Sequence, residues 1–170
     1  MKEHKGMRPQ DVVILLKIIA LGDKKWFLKD LATQLNISNS EVSESLHRSV
    51  IGGLIESDKK TIKRKKLLEF LVYGVRHVFP AVEGRLARGM PTAFSASVLS
   101  EEFVVENPYI WPAKGFSTKG ISIAPLYHTV PQACENDTLL YDLLALTDAL
   151  RMGAKSDVLI KLLSQRMGIS

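Results

Sequence analysis

The sequence predicts a mostly α-helical protein: three N-terminal helices, the last two joined by a very tight turn, then a short β-hairpin, a fourth helix, an irregular proline-rich segment and two C-terminal helices. Three observations carry this expectation. Apolar residues recur at helical spacing through residues 9–51 and again through 137–167. Six of the seven prolines fall between residues 80 and 131, a stretch with no sustained helical period. And LATQLNISNSEVSESLHR, residues 31–48, passes from one helical pattern to the next within four residues.

Each element has its own signals. Residues 9–22 open with Pro9, suited to a first turn, and close on Gly22, suited to a C-terminal stop. The run around Val12, Leu15, Leu16, Ile18 and Ile19 leaves few polar faces, so this helix should be well buried. Trp26-Phe27-Leu28 reads either as a small strand or as the start of the second helix. Leu28, Leu31, Ala32 and Leu35 give that helix its apolar stripe. Ser38 with Glu41 fits a capping box, in which Glu41 reaches back. The third helix runs to about Ile51 and ends at Gly52-Gly53. Leu54-Ile55-Glu56 can pair with Thr61-Ile62-Lys63 as a very short hairpin. Leu67 to Val78 reads as a fourth helix stopped by Pro80. Asp137 or Thr138 caps a helix to about 152, and a last helix covers roughly 156–167. These signals divide the chain into residues 1–80, an irregular Pro/Gly-rich connecting segment 81–136, and a helical segment 137–170.

Composition narrows the function classes. The 170 residues carry a net charge of +5. Residues 1–80 hold 15 Lys and Arg against 9 Asp and Glu, whereas 81–136 hold 4 against 5 and 137–170 hold 4 against 4. The excess positive charge lies in the first part, which points to a polyanion partner for one region. A single cysteine, Cys134, rules out an internal disulfide and fits a reducing cytoplasm. No apolar run is long enough to span a bilayer, and a secretory signal is not expected. His128 and Cys134 lack any metal-ligand spacing, and no phosphate-loop, dinucleotide or nucleophile-elbow motif is present. Asp142 and Asp148 are six apart, a poor carboxylate pair. The expectation is a chain without enzyme activity, metal or cofactor.

The tight turn suggests a helix-turn-helix, in which the second helix is presented outward. Val42, Leu46 and Val50 hold that helix to the core. The remaining face offers Asn39, Ser40, Ser43, Glu44, His47 and Arg48, with Ser38 at its start. Short or planar hydrogen-bonding groups of this kind suit the donors and acceptors of base edges in the major groove, where a plain solvated face would tend to Lys and Glu. Next comes DKKTIKRKK, residues 58–66. Its Lys59, Lys60, Lys63, Arg64, Lys65 and Lys66 are placed to meet phosphate as the wing of a winged helix does.

With those residues in view, a family likeness emerges. Residues 8–79, through LKDLATQLNISNSEVSESLHRSVIGGLIES and its recurring LA..L.IS.S.VS..L.R....GLI pattern, resemble the winged helix-turn-helix domain of bacterial transcription regulators of the MarR-like kind. The resemblance implies sequence-specific binding of double-stranded DNA, usually as a homodimer, with residues 39–51 in the groove. Only a dozen residues separate Leu54 from Leu67, a short wing for such a protein. Beyond Pro80 the chain departs from ordinary relatives and carries an extension of its own. The rival class is a protein-interaction module, for instance an antitoxin-like partner of a neighbouring gene product.

Two further stretches leave a choice open. NPYIWPAKGF, residues 107–116, reads either as a plug for its own core or as an arm for a partner. GRLARGMPTAF, residues 84–94, sets two arginines between glycines, open to extending the DNA contact. The leucines of 137–167 exceed what two helices bury against each other. They must pack on the N-terminal part or on a second subunit, and the expectation is the latter.

Overall fold

A computed structural model describes residues 5–170, so the first four residues of the expected 1–80 unit lie outside it. The protein is mostly helical with one small sheet. Helices α1 (Pro9–Leu21), α2 (Leu28–Leu35) and α3 (Asn39–Ile51) follow the sequence signals closely. Gly22 takes φ 59° at the end of α1, and Asn36 takes a left-handed φ of 52° at the end of α2. That left-handed residue breaks α2 and lets the chain start α3 three residues later. Ser38 caps α3 by accepting from the Glu41 N–H at 3.2 Å. Glu41 does not reach back to complete the expected box; its carboxylate turns to Gln10 and Arg48.

The expected hairpin is reduced to one β-bridge, Ile55 to Ile62. Two backbone bonds flank it, Glu56 N–H to the Thr61 carbonyl and Lys63 N–H to that of Leu54, both 2.9 Å. The next helix, α4 (Arg64–Tyr73), starts three residues before Leu67. Arg64, Lys65 and Lys66 therefore belong to its first turn and not to a hairpin. At Gly74 the helix breaks, and α5 (Val75–Val78) is a separate turn.

Residues 81–136 are not irregular. They build β1 (Glu83–Pro91), β2 (Tyr109–Pro112), β3 (Thr118–Ile123) and the short α6 (Val130–Cys134). β1 runs antiparallel to both other strands, while β2 and β3 pair in parallel, so the three close on themselves. Such closure needs backbones in contact. A Cβ on Gly89 would lie 1.8 Å from the Trp111 carbonyl oxygen, and one on Gly120 2.2 Å from that of Pro108. Only glycine fits at either place. Phe103-Val104-Val105 forms no strand.

Helix α7 (Thr138–Arg151) carries the sheet on the helical body. Thr92 Oγ1 and Trp111 Nε1 donate to Asp148 Oδ2 at 2.8 and 2.5 Å, and Arg151 donates to Asp148 Oδ1 at 2.6 Å. Arg151 also holds the Phe79 and Ala124 carbonyls. The 107–116 stretch is thus a plug for its own core, with Ile110 and Trp111 buried. Asp142 pairs with Arg166 of α8 (Asp157–Arg166) at 2.8 Å.

One apolar cluster joins α1 to α4, α6, α7 and α8. Leu140, Leu143, Leu144, Leu146 and Leu150 are all buried within the chain. The first of the two outcomes for those leucines holds: they pack on the N-terminal helices. Each such side chain buried contributes about 1.5–3 kcal/mol.

Candidate nucleic-acid interface

Helix α3 divides its circumference sharply. Val42, Ser45, Leu46, Arg48 and Ser49 are buried, against α1 and α2 among others. Asn39, Ser40 and Ser43 are exposed, and Glu44 and His47 are half-buried. At 3.6 residues per turn these five side chains occupy one stripe about 140° wide. The stripe is polar throughout, most exposed at Asn39, Ser40 and Ser43. Ser38 lies at its end, but its hydroxyl is engaged by the Glu41 N–H and lies 3.2 Å from Ser40 Oγ.

Arg48 does not join the stripe, which corrects the sequence expectation. It lies just past Glu44 around the helix and turns inward. Its Nη2 and Nε atoms donate to Asp11 of α1 at 2.7–3.2 Å, and Nη2 also reaches Glu41 at 2.6 Å. Asp11 is fully buried. The hydrogen bond to Asp11 raises the Arg48 pKa against the opposing effect of burial, and Glu41 adds to the rise. Burial disfavours the Glu41 charge, yet bonds from Arg48 and Gln10, with the Arg48 and Arg8 charges, hold its pKa below the ordinary 4.5. The sequence carries half of the signal: Asp11 is a lone carboxylate among the apolar residues that open α1, and a buried carboxylate needs a cation, but nothing local names Arg48 as that cation.

The basic cluster also sorts by geometry. Lys59 is exposed at the turn with φ 57°. Asp58 ties that turn through the Lys60 and Thr61 N–H groups, and the Thr61 hydroxyl and N–H hold its pKa down. Lys60 lays its ammonium 4.2 Å above the Trp26 ring and donates to the Trp26 carbonyl at 2.8 Å. Lys63 lies 3.4 Å from the Glu56 carboxylate, an exposed and therefore weak pair. Arg64 donates to the Met167 carbonyl and so fastens the C-terminal turn to α4. Lys65 and Lys66 are exposed. The cations left for a partner are thus Lys59, Lys65 and Lys66, with Lys63 loosely held.

The position of these cations is unfavourable on its own. The first turn of α4 has no acidic residue and no side-chain cap. Lys63 to Lys66 crowd the positive end of the helix dipole, where carboxylates are preferred by about 0.3–1 kcal/mol each. An anion bound there would offset that repulsion and use the free N–H groups of the turn. An open cleft of about 540 Å³ lies alongside; Glu56 lines it together with Ile62, Lys63, Arg64, Lys65, Lys66 and Ile169.

Among the described residues no three His, Cys, Asp or Glu side chains converge to hold a metal ion. Burial pushes the Cys134 thiol up, and His128 is exposed. No helix among them is long and apolar enough to cross a membrane. Comparison with protein-family models, with curated proteins and with solved structures finds no match for this chain.

Proposed function

We propose that the protein is a sequence-specific DNA-binding transcriptional regulator, a winged helix-turn-helix of MarR-like kind in its first 80 residues, working in the cytoplasm as a homodimer. The observation that carries this reading is the polar stripe of α3, followed in the chain by the unpaired cations Lys59, Lys65 and Lys66. Asn39, Ser40, Ser43, Glu44 and His47 read base edges in the major groove, in keeping with the outward side of a recognition helix. Lys59, Lys65 and Lys66 meet flanking phosphates, and the first turn of α4 adds backbone donors. Arg48 supports the reading face from behind by fixing α3 to α1.

One helix covers only a few base pairs, so two-fold symmetry doubles the site. Selection from a random pool of duplex DNA should enrich a pseudo-palindrome with half-sites about 10 bp apart. Sedimentation should show a dimer. A pool that enriches no sequence would overturn the proposal and favour the interaction-module class.

A further inference from the structure

The ribbon of β1 and β3 holds a second concentration of unpaired positive charge. Residues 83–91 and 112–123 contain Arg85, Arg88, Lys114 and Lys119 against one carboxylate, Glu83 at the start of β1, which accepts from the Tyr109 hydroxyl at 2.9 Å. All four are exposed, and among the described residues none forms an ion pair. Arg88 and Lys119 are direct cross-strand partners. Their side chains leave the same face of the ribbon, with Cβ atoms roughly 4.5–5.5 Å apart, and like charges so placed are destabilising. Arg88 Nη1 donates to the Ser117 carbonyl at 2.9 Å, two residues before Lys119. Lys114 stands on the β2–β3 turn, at an open cleft of about 570 Å³ that also includes Arg88 and Phe116.

Charges do blunt an open strand edge against pairing with other chains. Alternating signs would achieve this without opposing Arg88 to Lys119. A protein partner would call for an apolar centre of some size. This face offers little beyond Leu86, which is 62% exposed, and its cross-strand partner Ile121. Closely spaced cations, with the one carboxylate of the ribbon at the opposite end from Arg88 and Lys119, match a polymer of closely spaced anions, and duplex DNA carries one charge per roughly 1.7 Å of axis.

We propose that the β1–β3 ribbon is a second phosphate-binding element, gripping the DNA backbone outside the segment read by α3, through Arg88, Lys119 and Lys114. This rests on the DNA-binding reading above. It gives the sheet inserted after α5 a task that α3 and the 59–66 cluster leave unfilled.

Lysine acetylation followed by mass spectrometry, on the full chain with and without a 40-bp random-sequence duplex, tests contact without altering the protein. Lys114 and Lys119 should label several-fold more slowly with DNA. Salt titration of Arg88→Ala/Lys119→Ala then measures the contact. Loss of two phosphate contacts flattens the slope of log K against log salt by about 1.8, so affinity falls about 12-fold less between 50 and 200 mM. Arg88→Lys/Lys119→Arg should keep the wild-type slope. Equal labelling of Lys114 and Lys119, with Lys65 and Lys66 protected, would overturn the ribbon's role and leave the DNA reading intact. Absence of any binding to duplex would overturn both. Protection by polyglutamate and not by duplex would assign the ribbon to an acidic protein and overturn the proposal.

Discussion

Arg48→Ala distinguishes a structural arginine from a base reader. In the folded protein Arg48 makes three N–O contacts of 2.7, 3.0 and 3.2 Å to Asp11 and one of 2.6 Å to Glu41. Truncation leaves the Asp11 carboxylate, which is 0% exposed, without its cation. Breaking one side of such a buried pair costs about 3–5 kcal/mol. Against a total stability of roughly 5–15 kcal/mol this is a large share. For a chain of this size it lowers Tm by about 6–20 °C. Urea unfolding followed by circular dichroism reads the change directly. Asp11→Ala should cost a similar amount, and Asp11→Ala/Arg48→Ala should cost at least about 2 kcal/mol less than the sum of the two, since the partners couple. The reasoning fails if Arg48→Ala unfolds within about 1 kcal/mol of wild type while losing affinity only for its preferred DNA. That pattern would mean that the guanidinium leaves Asp11 to read a base.

Three other outcomes follow from the same geometry. Ser38→Ala removes the α3 cap and should lower stability by about 1 kcal/mol in urea titration; no change would mean that Ser40 or water replaces it. Glu41 has a folded pKa below 4.5, so its stabilising effect is fully present above the unfolded value and is lost as pH falls through the folded one. Wild type should therefore exceed Glu41→Gln by about 1 kcal/mol at pH 7, with the gap closing as pH falls below the ordinary glutamate range; a gap unchanged with pH would assign Glu41 to packing alone. Trp111→Phe leaves Asp148 one donor short and should cost about 1–3 kcal/mol in urea unfolding, with a changed near-ultraviolet spectrum; wild-type stability would show that Thr92 and Arg151 suffice to hold the sheet.

Helical elements were legible where an apolar period met a cap. α1, α2, α3, α7 and α8 each carry both, and their ends fall within a residue or two of expectation. The start of α4 was not, because its first turn is three cations in a row and the apolar period begins only at Leu67. β1 was hidden for a related reason. Residues 83–86 are exposed on both faces and burial begins only near Gly89, so EGRLARGMP shows no alternation. The stripe of α3 could be read from residue types alone, but the inward turn of Arg48 depends on Asp11, 37 residues earlier in the chain. The same distance problem affected the C-terminal leucines. Their number required a partner surface, and only the tertiary fold identifies that surface as α1, α4 and α5 of the same chain.

The central claim is that α3 reads sequence while the cations of residues 59–66 bind phosphate. Measuring the affinity of Ser43→Ala and of Lys65→Ala/Lys66→Ala for the selected site and for random duplex, by fluorescence anisotropy across a salt series, tests it most directly. The account predicts that Ser43→Ala weakens the selected site by about 1–3 kcal/mol and leaves random duplex unchanged. It predicts that the double lysine variant weakens both alike and flattens the salt slope by about 1.8. Equal losses on both DNAs for Ser43→Ala, or an unchanged salt slope for the lysine variant, would contradict it.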